Sequence, residues 1–195
     1  MKIETQAIHA GFDDDPTTRA VAAPIYQTTS FSFRDTQHGA DLFNLAEAGN
    51  IYSRIMNPTC DILEQRIAAM EGGAAALCVA SGMAAITAAF SLLPHGAPVV
   101  ASHEGYSGTM SLLKRYHAEG RLEVRFVDIT DTKEVISQLQ GAAFLWVESP
   151  TNPGLGVAEV AVIIGEAKKR NMGVGFDNTF ATPLNQKPLT FGADI

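Results

Sequence analysis

The sequence predicts an α/β fold with a mostly parallel central sheet and flanking helices. Two observations predict it. From Asp61 onward, short apolar runs alternate with longer stretches of helical character. Glycine, proline and capping residues mark the junctions between them. Strands that alternate with helices are joined by right-handed crossovers, so the strands run parallel.

The elements follow in order. Asp61 to Glu71 carries apolar residues at Ile62, Leu63, Ile67 and Met70, the spacing of an amphipathic helix. Gly72-Gly73 ends it. Ala75 to Ala80 reads as a short apolar strand, broken by Ser81-Gly82. Met83 to Leu93 is an almost wholly apolar helix, which must be buried on most sides. A turn from Pro94 to Gly96 leads to a strand over Ala97 to Ala101. A helix over Ser107 to Glu119 precedes a strand over Leu122 to Val127. Asp131 caps a helix that runs to Gln140, with Glu134 placed to complete a capping box. Ala143 to Val147 is a strand ending in Glu148. Ala158 to Asn171 is a helix, and Gly173 to Phe176 a strand ending in Asp177.

Residues 1–60 differ in character. Gly11 to Pro24 is polar and holds the acidic run Asp13-Asp14-Asp15. Ile25 to Phe33 mixes aromatics with Thr and Ser, and residues 40–48 suit a short helix. The expectation is an extended arm over residues 1–60, of the kind that covers a neighbouring subunit, followed by an α/β domain over 61–195.

Composition narrows the function classes. The 195 residues are 46% hydrophobic and 18% charged, which suits one globular domain or one large piece of a bigger one. The net charge of −7, without a basic run, argues against a nucleic-acid partner. Cys60 and Cys78 lack metal-type spacing and read as ordinary thiols of a reducing compartment. The five histidines are scattered, so no metal site is expected. The N-terminus lacks an apolar signal core, and no stretch is long and apolar enough to span a membrane. The expected location is the cytoplasm, with no membrane partner.

The chemistry-bearing residues sit just past the apolar runs, where open α/β sheets bind ligands. Ser81-Gly82-Met83 opens a helix whose free N–H groups and dipole favour an anion such as phosphate. A plain turn with a serine cap accounts for the same residues. Asp177 is a carboxylate suited to pairing with a protonated ring nitrogen, or to a loop hydrogen bond. Asn152, between Pro150 and Pro153, is an amide donor for a phenolic oxygen, or a turn former. Tyr106, after Gly105, suits stacking on an aromatic ring, or a surface position. Tyr52 and Arg54 alternate in a stretch read as extended, so both point the same way and can meet a phosphate.

In this order the motifs resemble the cystathionine gamma-synthase family of pyridoxal 5'-phosphate (PLP) enzymes of Cys/Met metabolism. The similarity runs from Ala23-Pro24-Ile25-Tyr26 through Asn57-Pro58-Thr59, Glu71-Gly72-Gly73, Ser81-Gly82-Met83, Glu148 to Pro153 and Asp177-Asn178-Thr179 to Gly192-Ala193-Asp194-Ile195. It implies the type I PLP-dependent transferase fold, truncated before its C-terminal domain. It also implies PLP as cofactor: Ser81, Gly82 and Met83 at the phosphate, Tyr106 on the ring, Asn152 at the ring hydroxyl and Asp177 at the ring nitrogen. Thr179 and Glu148 are implied more peripherally. Tyr52 and Arg54 would reach the phosphate from a neighbouring subunit of a homotetramer made of two dimers. Tyr52 and Tyr106 are the implied catalytic groups for proton transfer.

Within the family, Asp41 to Thr59 and Asn178 to Pro183 look most like O-acetylhomoserine sulfhydrylases. The Glu148 to Pro153 loop and Met83 lean toward cystathionine gamma-synthases and gamma-lyases. The implied reaction is gamma-replacement on O-acetylhomoserine by sulfide or a thiol, with methionine gamma-lyase or cystathionine gamma-synthase chemistry as alternatives. The family's cofactor-bonding lysine falls in a Ser-x-Thr-Lys segment, and none of the six lysines here sits in that context. The expectation is therefore the N-terminal part of a longer enzyme, inactive alone, with a separate C-terminal fragment as a candidate partner. An inactive truncated homologue acting as an assembly partner is the alternative of another class.

Overall fold

Side chains that accept backbone N–H groups set four of the eight α-helix starts in this chain. The computed structural model describes residues 1–195 and divides into two units, Met1–Cys78 and Val79–Ile195.

The first unit holds helices α1 (Ile3–His9), α2 (Thr36–Phe43) and α3 (Pro58–Glu71). The sequence pattern missed α1. Helix α2 starts four residues before the expected 40–48 span, because the Asp35 carboxylate caps it by accepting from the His38 N–H at 2.8 Å. Helix α3 likewise starts before Asp61, with Asn57 as cap and Pro58 in its first turn. Gly72 ends it at φ 75°, a left-handed conformation that glycine adopts without a Cβ clash.

The first unit runs through α3 to Cys78. Helix α1 packs on α3, and Arg66 Nε donates to the Ala10 carbonyl at 2.9 Å. Gly11, at φ +79°, lies so close to α3 that a Cβ there would sit 2.8 Å from the Ile62 carbonyl oxygen. The arm is tied down further along as well. Ser30 bridges to Tyr52, and Phe31 N–H donates to Ile51 at 3.1 Å. Buried Asn57 donates to the Tyr26 carbonyl at 2.9 Å and to Ser53 Oγ at 3.0 Å, while accepting from Thr59 N–H at 2.9 Å.

The second unit starts with α4 (Gly82–Ser91) and continues through β1 (Ala97–Ser102), α5 (Ser107–Ala118), β2 (Leu122–Val127) and α6 (Thr132–Gln138). It then runs through β3 (Phe144–Glu148), α7 (Val160–Lys168), β4 (Gly173–Asp177), the short α8 (Thr182–Asn185) and a 3-10 turn over Pro188–Phe191. The strands form one sheet in the order β2-β1-β3-β4, with every pairing parallel. Both faces are covered, as parallel sheets require. Val99, Ala101, Phe144 and Trp146 pack with residues of α4 and α5. The alternate residues Val100, Leu145, Val147 and Val174 pack with residues of α6 and α7.

Two local expectations need correction. Ala75 to Ala80 is not a strand: no partner strand lies alongside it, and Leu77 stays exposed. An apolar run becomes a strand only when another backbone can pair with it. Asp131 does cap α6, accepting from Lys133 and Glu134 N–H groups at 2.9 and 3.1 Å. Glu134 does not close the box, because its carboxylate accepts instead from Asp128 N–H at 3.1 Å.

Replacing Asn57 by Ala removes one cap and two carbonyl or hydroxyl tethers. We expect a loss of about 1–3 kcal/mol, read as a lower urea midpoint by circular dichroism.

Candidate functional site

Strand order reverses between β1 and β3: from β1 the chain first adds β2 on one side, then β3 on the other. The carboxyl ends of strands at such a switch point border a crevice. Tyr106 follows β1, Asn152 follows β3, and Asp177 ends β4. In-register pairing of β3 with β4 sets Glu148 opposite Asp177.

These ends open on a cavity of about 320 Å³. Ser81, Gly82 and Met83 line it from the start of α4, Asp177 from the end of β4, and Tyr106, Asn152 and Thr179 from the loops. All seven were singled out in the sequence. Glu148, the more peripheral candidate, lines it too, and Ile86, Pro150 and Phe180 complete the wall and were not foreseen; an apolar wall residue has no polar signature to betray it. Tyr52 and Arg54 belong to the first unit and are not lining residues of this cavity. Residues 53–55 form a turn, not an extended run. The two side chains still meet, with the Arg54 guanidinium 5.5 Å from the centre of the Tyr52 ring.

Ser81 caps α4 by accepting from Ala84 N–H at 3.1 Å. The first N–H groups of the helix, at Gly82 and Met83, have no intrahelical acceptor. An added Cβ at Gly82 would meet nothing within 4 Å, so open space faces this backbone. Across the cavity, one oxygen of Asp177 accepts from Thr179 N–H at 3.1 Å and Thr179 Oγ1 at 2.5 Å. That turn fixes the carboxylate and leaves its other oxygen for a ligand.

The Asn152 loop is tied down by its own buried side chains. Ser149 Oγ accepts from Ala158 N–H at 3.0 Å, and Thr151 Oγ1 from Gly156 N–H at 2.9 Å, both from nearly sealed positions. The Tyr106 ring rests over Gly108, where a Cβ would stand 2.6 Å from Tyr106 Cε1 and 2.8 Å from Met83 Sδ. Glu148 is 5% exposed, and its carboxylate accepts N–H groups from both Tyr106 and Asn152. Burial pushes its pKa above the usual carboxylate range, and the nearby Asp177 charge adds to the rise. The backbone donors oppose it without prevailing.

Residues 4–195 match the model of the Cys/Met metabolism PLP-dependent enzyme family. The chain is 44% identical to the O-acetyl-L-homoserine sulfhydrylase of Leptospira meyeri, covering 100% of this chain and 45% of that protein. It is 39% identical to the L-methionine gamma-lyase of Pseudomonas putida, covering 98% of this chain and 48% of that protein. The crystal structure of the putative O-acetylhomoserine (thiol)-lyase of Campylobacter jejuni, which holds N'-pyridoxyl-lysine-5'-monophosphate, superposes with a TM-score of 0.90 at 38% identity. That match covers 100% of this chain and 48% of the other. The chain thus spans slightly under half the length of these relatives.

Two outcomes follow from this geometry. Gly108→Ala should displace the Tyr106 ring and weaken PLP binding about tenfold, while helix α5 gains from alanine's propensity. A titration followed by the fluorescence of the single tryptophan, Trp146, reads this against a melting temperature that does not fall. The second outcome concerns pH. A carboxyl whose folded pKa is raised adds stability below its unfolded pKa, and that addition is lost as pH rises through the folded value. Glu148→Gln should therefore gain stability relative to the native chain across that rise. Melting temperatures over a pH series test it, and a difference that stays flat contradicts it.

Proposed function

Because this chain belongs to the Cys/Met metabolism PLP-dependent enzyme family, we propose that it is the cofactor-cradling part of an enzyme that replaces the acetoxy group of O-acetylhomoserine with sulfide or a thiol. The observation that carries this reading is the convergence of an anion-binding helix start, an aromatic ring, an amide and a carboxylate on one cavity. That set fits PLP. The open space at Gly82 admits a phosphate, and the free Asp177 oxygen suits a protonated pyridine nitrogen.

When bound, PLP supplies the electron sink that lets an amino acid lose its α-proton. The chain's own residues do the rest. Gly82 and Met83 hold the phosphate through their N–H groups, with Ser81 setting the helix start. Asp177 keeps the ring nitrogen protonated, and Thr179 aims the carboxylate. Asn152 donates to the ring hydroxyl oxygen. Tyr106, which lines the cavity, would cover the ring face and would move a proton at the substrate. Tyr52 and Arg54, already paired by their cation–π contact, serve the phosphate of a second copy, with Tyr52 as a further proton carrier. The enzyme is then a homo-oligomer of two dimers acting on an amino acid and a sulfur donor in the cytoplasm. Similarity to L-methionine gamma-lyase supports elimination without replacement as the second reading.

The product of the complete gene, supplied with PLP, O-acetylhomoserine and sulfide, should release acetate and form homocysteine. Methanethiol, ammonia and 2-oxobutanoate from methionine and water, with no homocysteine formed, would favour the second reading. Loss of PLP binding in Asp177→Ala, with retention in Asp177→Glu, is expected by absorbance titration.

A further inference from the structure

Glu148 binds no other side chain, yet it is the most thoroughly bonded carboxylate at the cavity. Its Oε1 accepts from Tyr106 N–H at 3.0 Å and Asn152 N–H at 2.7 Å, and its Oε2 accepts from Tyr106 N–H at 2.9 Å. These donors belong to separate loops, 42 residues before it and four residues after it. The first loop approaches the carboxylate closely at Gly105, where a Cβ would lie 2.7 Å from Oε2. The group is nearly sealed from water. A buried carboxylate without a cationic partner is costly unless its bonds are needed.

We propose that Glu148 is a positioning residue: its carboxylate clips the β1–α5 loop to the β3–α7 loop and so fixes the spacing between the Tyr106 ring and the Asn152 amide around the pyridine ring. This rests on the PLP reading above. Glu148 also lines the cavity, but every hydrogen bond its carboxylate accepts comes from those two residues. Its action falls on the ring end of the cavity and not on the phosphate end at Gly82, which α4 holds independently through Ser81.

Glutamine retains one oxygen in the position that already reaches both N–H groups; alanine retains none. In the 195-residue chain, Glu148→Ala should weaken PLP binding about tenfold, read by Trp146 fluorescence, and leave inorganic phosphate binding unchanged. Glu148→Gln should restore PLP affinity. Amide hydrogen exchange supplies a readout without ligand: Tyr106 and Asn152 should lose protection in the alanine variant and regain it in the glutamine variant. If Glu148→Ala binds phosphate and PLP equally poorly, or keeps both amides protected, the clip is wrong. If the glutamine variant behaves like the alanine variant, the clip is also wrong, whether or not the alanine variant folds. Absence of PLP binding by the native chain would overturn the cofactor reading itself, and the clip with it.

Discussion

Four parallel strands held in register are the constraint on which the site depends. Pairing of Phe144 with Gly173 propagates along two strands until Glu148 and Asp177 stand side by side at their ends. A slip of one residue would turn every side chain of β4 to the opposite face. It would pull Val174 out of the α6–α7 core and Asp177 away from the cavity. The apolar packing that fixes the register therefore also fixes the chemistry. Gly175 shows how tight that packing is: a Cβ there would lie 2.8 Å from both Phe144 and Trp146. Little of the sheet can shift without a clash.

The loops beyond the strands are held by polar bonds instead of apolar packing. Ser149 and Thr151 are sealed and bonded within their loop, and Glu148 joins that loop to Tyr106. Such a site is prepared before any ligand arrives. Binding then costs little ordering of the loops, which leaves more interaction energy for orienting the ligand.

Much of this was legible in the sequence. The positions of Asn152 and Asp177 beyond apolar runs suffice to place them at strand ends, because an α/β alternation leaves few topologies, whereas Ser81-Gly82 was legible as a helix start. Caps such as Asp131 were legible because their chemistry is local. Pairing was less so. Ala75 to Ala80 has the composition of a strand but lacks a neighbouring backbone. Helix α1 carries too short an apolar pattern over Ile3–His9 to declare itself, and it is held by packing on α3. Glu148 looked peripheral because a sequence shows a carboxylate without showing its burial or its backbone donors. Arg54 was expected in extended backbone, and its turn became visible only with the Tyr52 contact.

The central claim is that these strand ends form one PLP cradle. A crystal structure of the chain with PLP tests it most directly. The expected result is phosphate on the N–H groups of Gly82 and Met83, the ring against Tyr106, and its nitrogen on Asp177. PLP bound only to surface lysines, or seated with its phosphate at Asp177, would contradict it.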